Sequence, residues 1–177
     1  MNRSSSRIAA ALALALVGAF ATNANAIPLE KQWEFRLSGS GSNDTDFAAG
    51  GFNVDATLGY HFTDQLELVG RQSFGYSDFG DSSWSGGTRL GGYYNFNFDE
   101  DQKIVPYAGV NLGYIYGDAV ADTFVAGPEA GLKWFVNDTT FVYGSVSYEF
   151  FFDKANDIDS NFSDGQFVYG LGIGFKF

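Results

Sequence analysis

The sequence predicts an all-β fold: an eight-stranded antiparallel up-and-down transmembrane β-barrel. Three observations predict it. From Trp33 onward, segments in which apolar and polar residues alternate recur eight times, separated by clusters of Asp, Asn, Ser and Gly. Aromatic residues make up 18% of the chain and glycines number 23, yet mean hydropathy is close to zero. Strands that face lipid on one side and a polar lumen on the other give that average. After Ala26, finally, no apolar run approaches the ~20 residues of a membrane helix.

The predicted strands are Trp33–Ser42, Gly51–Phe62, Gln65–Ser77, Ser83–Phe98, Lys103–Tyr116, Asp122–Val136, Thr139–Phe152 and Gly165–Phe177. Each is long enough for the ~9–11 residues that a tilted strand needs to cross hydrocarbon. The connections alternate in length. Thr63-Asp64, Asp99–Gln102 and Asn137-Asp138 are tight, whereas Asn43–Gly50, Asp78–Ser82, Gly117–Ala121 and Asp153–Asp164 are mostly longer. Membrane barrels place short turns on the periplasmic side and long loops outside, so both ends of the barrel are expected in the periplasm.

Met1 to Ala26 differs in composition from everything after it. Arg3 and Arg7 form a positive start, Ile8 to Ala21 is apolar, and Ala24-Asn25-Ala26 supplies small residues for a signal peptidase. The domain reading is a signal peptide over residues 1–26, cleaved after Ala26, and a β-barrel domain over residues 27–177. Net charge is −11, and −13 without Arg3 and Arg7. A nucleic-acid partner, which requires phosphate neutralisation, is therefore not expected. There is no Cys, which removes disulfides, thiol catalysis and Cys-based metal sites.

Alternate positions divide each strand into two faces. The lipid-facing set includes Trp33, Phe35 and Leu37, then Val54, Ala56, Leu58, Tyr60 and Phe62, and in the last strand Phe167, Tyr169, Leu171, Ile173, Phe175 and Phe177. Aromatics cluster near both strand ends: Trp33, Phe62, Phe98, Trp134 and Phe177 at one, Trp84, Tyr116, Phe124, Phe152 and Phe167 at the other. That is the pair of girdles found at membrane interfaces. The other face carries five acids, Glu34, Asp55, Glu67, Glu129 and Glu149, against five bases, Arg36, Arg71, Arg89, Lys133 and Lys176. Charges in a narrow lumen are costly unless paired, which predicts a cross-barrel network with Arg89 and Lys133 neutralising acids such as Glu129 and Glu149. Tyr93, Asn95, Asn97 and Asn111 would complete the hydrogen bonding, and Gly87, Gly91, Gly109, Gly113, Gly170, Gly172 and Gly174 would make room for long side chains. With eight strands the interior is just wide enough for side chains to fill, so a plugged polar core is expected.

The runs Pro106-Tyr107-Ala108-Gly109-Val110-Asn111-Leu112-Gly113-Tyr114, Gly127-Pro128-Glu129-Ala130-Gly131-Leu132-Lys133-Trp134-Phe135 and Tyr148-Glu149-Phe150-Phe151 resemble the second half of the OmpA-like and opacity-type family of small outer-membrane barrels. Tyr169-Gly170-Leu171-Gly172-Ile173-Gly174-Phe175-Lys176-Phe177 is similar to its closing strand. The resemblance covers the mature chain in pattern and specific residues mainly after Pro106. It implies location in the cell outer membrane, contact with outer-membrane lipids and lipopolysaccharide, and a structural or surface-interaction role without catalysis. It also implies that Phe177 is the signal read by the barrel-assembly machinery. No wall-binding domain is expected after the last strand.

Other chemistry finds little support. His61 is the only histidine, at a lumen position, and no Ser beside it lies in a nucleophile-like motif, so a lipid-modifying enzyme is the least favoured reading. A single His also argues against a transition-metal site. Asp157, Asp159 and Asn161 open like a calcium loop, but Phe162 stands at the glycine position and Val168 at that of the bidentate glutamate. They read as a solvated acidic loop, and no cofactor is expected. The outer loops carry Asp44, Asp46, Asp78, Asp81, Asp118, Asp153, Asp157, Asp159 and Asp164 against Lys154, which leaves room for an extracellular partner. A small cation-favouring pore is the alternative function.

Overall fold

The computed structural model describes residues 30–45, 49–78, 82–96, 103–118, 122–152 and 165–177. The segment expected to be a signal peptide, much of the longer loops and Asn97 and Phe98 lie outside these residues. Eight strands follow in order: β1 Trp33–Asn43, β2 Gly50–His61, β3 Leu66–Asp78, β4 Ser82–Asn95, β5 Ile104–Gly117, β6 Thr123–Phe135, β7 Thr140–Phe152 and β8 Gly165–Lys176. Each pairs antiparallel with the next, and β1 closes onto β8. Most ends fall within a residue or two of expectation; β4 stops at Asn95, short of the predicted Phe98.

Closure follows from the backbone. A sheet in hydrocarbon must leave no edge with open N–H and C=O groups. At the seam, Glu34 pairs with Lys176 and Ser38 with Gly172. Beyond the last ladder pair, the Trp33 and Phe177 amides donate to each other's carbonyls, both at 2.9 Å.

Two connections described in full are pinned by side chains. The Thr63 hydroxyl accepts the Leu66 N–H at 2.9 Å, and the Asn137 side-chain oxygen accepts the Thr139 and Thr140 N–H groups at 3.0 and 2.8 Å. Short polar side chains that satisfy turn amides allow reversal in so few residues. These connections define the turn end of the barrel; the long connections define the loop end.

The side chains are inverted relative to a water-soluble protein. Val110 is 65% exposed and Leu171 70%, while Glu34, His61 and Lys133 are 0% exposed. Apolar residues outside and charges inside are what a barrel standing in hydrocarbon requires. Aromatic pairs ring both ends, such as Trp33 with Tyr60 at the turn end and Tyr148 with Phe167 at the loop end. One interruption stands out in the ladder. Between β6 and β7 no pairing joins Gly127 and Pro128 to their partners. Pro128 has no N–H to give, and a Cβ on Gly127 would run into the Tyr148 carbonyl oxygen.

Candidate functional site

The site candidate is the lumen itself, since period-2 alternation sends the five acids and five bases predicted for the inner face into it. Its filling changes along the axis. At the turn end, Phe135 and Phe141 pack with ring centroids 5.0 Å apart, and the Lys176 ammonium lies 4.6 Å from the Phe135 ring.

Above this aromatic floor, four strands contribute one charged cluster. Arg36 from β1 forms an ion pair with Glu34, Nε standing 2.8 Å from its carboxylate, and donates a hydrogen bond to Glu67 of β3. Lys133 of β6 reaches the same two carboxylates at 2.8 and 2.9 Å. His61 of β2 places Nε2 3.2 Å from Glu34, and the Asn95 amide donates to Glu67 at 3.3 Å. The Arg36 guanidinium stands 5.6–5.8 Å from the rings of Tyr93, Tyr107 and Tyr143. Cations held among carboxylates and aromatic faces recover much of the solvation lost on burial.

Glu34, His61 and Glu67 also form the one grouping of potential metal ligands among the described residues. The Lys133 ammonium and the Arg36 guanidinium already bond both carboxylates and supply the positive charge that an ion would bring. The donor set therefore does not fit a resident metal.

The next layer is centred on Glu129 of β6. Arg71 Nη2 donates to both of its oxygens at 2.9 and 3.1 Å, and the Glu129 carboxylate also accepts from the Tyr93 hydroxyl at 3.0 Å, the Tyr107 hydroxyl at 3.3 Å and the Asn111 amide at 3.3 Å. Arg89 of β4 then takes Glu149 of β7 in a two-point contact at 2.7 and 3.2 Å and donates to Ser73 at 3.1 Å. Asp55 is held differently. It accepts from the Ser73 hydroxyl at 2.5 Å and the Ser38 hydroxyl at 3.4 Å, and among the described residues no cation forms an ion pair with it.

The structure thus turns all ten sequence-predicted lumen charges inward, with Glu34, Arg36, Asp55, Glu67, Arg71, Arg89, Glu129, Lys133 and Glu149 in the contacts described above and Lys176 over the Phe135 ring. Their partners differ in part from expectation. Arg89 does meet Glu149, but Lys133 serves Glu34 and Glu67, and Glu129 belongs to Arg71. Which strand lies across the barrel depends on stagger at closure, and alternation along one strand carries no information about it. Sequence reasoning also passed over Tyr107 and Tyr143, whose parity with Val105 and Ser145 was the available signal.

The expectation of a lumen filled throughout needs correction. A cavity of about 330 Å³ occupies the loop-side half, lined by Ser38, Ser40, Asn53, Asp55, Ser85 and Gln166 among others. Residues this small on the inner face cannot meet across eight strands. From the cavity floor downward, by contrast, Gly113 lies beneath Arg89, Gly91 and Gly109 beneath Tyr93, and Gly172 beneath Tyr143, so that glycines make room for these long side chains.

This architecture matches known folds. The N-terminal β-barrel domain of OprF from Pseudomonas aeruginosa superposes with a TM-score of 0.54 at 21% identity, covering 84% of this chain and 98% of that one. OprG from Pseudomonas aeruginosa gives 0.54 at 16% identity over 84% of this chain and 96% of its own. The chain has the fold of a small outer-membrane β-barrel. No protein-family model and no curated protein sequence matches it. In this outer-membrane-type barrel Phe177 is 71% exposed beside the β1–β8 seam.

Proposed function

We propose that the chain is an integral outer-membrane barrel with a structural or surface-interaction role in the envelope, without catalysis and without steady ion conduction. The observation that carries this reading is the buried cluster of Glu34, Arg36, His61, Glu67 and Lys133, which spans the lumen above the Phe135 and Phe141 floor. An ion crossing it would have to displace paired charges that are buried from solvent. His61 supports the non-catalytic reading, since it faces Glu34 deep in the lumen and not a lipid headgroup.

Lipid and lipopolysaccharide would contact the exposed apolar wall, and an extracellular partner would meet the acidic loops. Export would use the segment ending at Ala26, and assembly would use Phe177. Planar-bilayer conductance of the refolded mature protein tests the closed lumen: no steady ion-sized openings are expected, and their appearance would favour a small cation pore. Phe177→Ser should lower the amount of assembled protein while leaving export intact. Undiminished assembly would remove Phe177 from that role.

A further inference from the structure

The loop-side cavity and the lone carboxylate within it belong together. Four of the five lumen acids are supplied with a guanidinium or ammonium by the barrel itself. Among the described residues Asp55 has only hydroxyl donors, Ser73 and Ser38. A carboxylate in a confined interior is costly without a counter-charge, and the neighbouring arginines, Arg71 and Arg89, are each engaged two-point by a glutamate. The space that a built-in cation would fill is instead the open cavity. With Arg71 and Arg89 balanced by Glu129 and Glu149, the cup carries one net negative charge.

Its walls narrow the chemistry further. Ser38, Ser40, Asn53, Ser73 and Ser85 present hydroxyls and an amide around Asp55, from positions that register places on adjoining strands: Ser38 opposite Asp55, Asp55 opposite Ser73, Asn53 opposite Gly75 and Gly75 opposite Ser85. Such groups offer both donors and acceptors to a hydroxylated body. The volume of about 330 Å³ suits a single hexose-sized molecule. Access is from the loop end, where Ser40 is exposed. Asp44, Asp78, Asp118 and Asp122 stand on that rim, with no lysine or arginine among the described rim residues, a field that draws cations inward.

We propose that this cup is a binding site for a small organic cation, a primary ammonium carried on a hydroxylated body such as an amino sugar, with Asp55 as the counter-charge and the surrounding hydroxyls and amide as the wall. The assignment stands on the cavity and Asp55 and goes beyond the closed-lumen reading. Steady conductance in the bilayer experiment would change the barrel's role without removing the site.

The test uses the refolded mature barrel in detergent, titrated calorimetrically and by NMR with glucosamine and, separately, with N-acetylglucosamine, the same ring with its charge removed. Glucosamine should bind, N-acetylglucosamine at least tenfold more weakly. Asp55→Asn keeps the shape and the hydroxyl contacts, and should weaken glucosamine at least tenfold while preserving the heat-dependent gel shift of a folded barrel. Ser85→Leu, which fills the cup and leaves the charge in place, should also block binding. If Asp55→Asn does not fold, the comparison of the two sugars on the parent protein decides. Equal binding of both sugars, absence of glucosamine binding to the parent, or undiminished binding by a folded Asp55→Asn barrel would each overturn the assignment.

Discussion

The two halves of the lumen share one backbone rule and differ in what it delivers. In both, every second residue points inward. At the turn side those residues are Glu34, Arg36, His61, Glu67, Lys133, Phe135 and Phe141, all buried; at the loop side they include Ser38, Ser40, Asn53, Gly75, Ser85 and Gly170, around a cavity. Alternation decides which way a side chain faces, whereas side-chain volume decides whether the barrel closes on itself. Stability is therefore concentrated at the turn side, and the loop side is left free to hold something else.

The largest expected effect comes from the turn-side cluster. Arg36→Met leaves Glu34 and Glu67 to share Lys133, with both carboxylates buried away from solvent. Removing one member of a buried ionic network costs roughly 3–5 kcal/mol. The urea midpoint of the refolded barrel should fall accordingly, or refolding should fail. An unchanged midpoint would mean that water reaches the cluster and would erase the distinction between the halves.

Arg89 stands at the boundary and sharpens it. Its side chain is 11% exposed and borders the cavity, so water can enter when it is removed. Arg89→Ala should therefore cost about 2 kcal/mol, between the buried-pair range and the roughly 0–1 kcal/mol of a surface pair. A loss as large as that of Arg36→Met would show that the Glu149 layer is as dry as the one below it.

Much of this was legible in the sequence, for reasons visible at particular residues. The eight strands and their inner faces follow from period-2 spacing, which survives in every strand; even the ladder break at Gly127 and Pro128 keeps the register of β6 against β7. The charges at Glu34, Arg36, Glu67 and Lys133 were placed in the lumen by that parity alone. Their partners were not, because contact across the barrel is set by stagger around all eight strands. The cavity was missed for a related reason. Ser40, Asn53, Gly75 and Ser85 are ordinary polar strand residues one at a time, and only their adjacency, fixed by the pairing of β1 to β4, leaves a space.

Two glycines on β8 probe the same contrast without touching a charge. A Cβ at Gly174 would enter the ring of Phe141, which is wholly buried and cannot withdraw, so Gly174→Ala should cost about 1–3 kcal/mol through overpacking. Four residues earlier, a Cβ at Gly170 would meet only the Ser145 hydroxyl oxygen at 2.6 Å. Ser145 lines the cavity, and its hydroxyl has room to rotate away. Alanine also narrows the conformations of the unfolded chain, which favours the folded state by about 0.4–1 kcal/mol where the backbone permits it, and Gly170 has no positive φ that an L side chain would resist. These terms oppose each other at Gly170, so Gly170→Ala should shift stability by no more than about 0.5 kcal/mol in either direction. Urea titration of the two variants side by side checks this. If Gly170→Ala loses as much as Gly174→Ala, the loop-side half is packed as tightly as the turn side, and the cup around Asp55 has no room for a ligand.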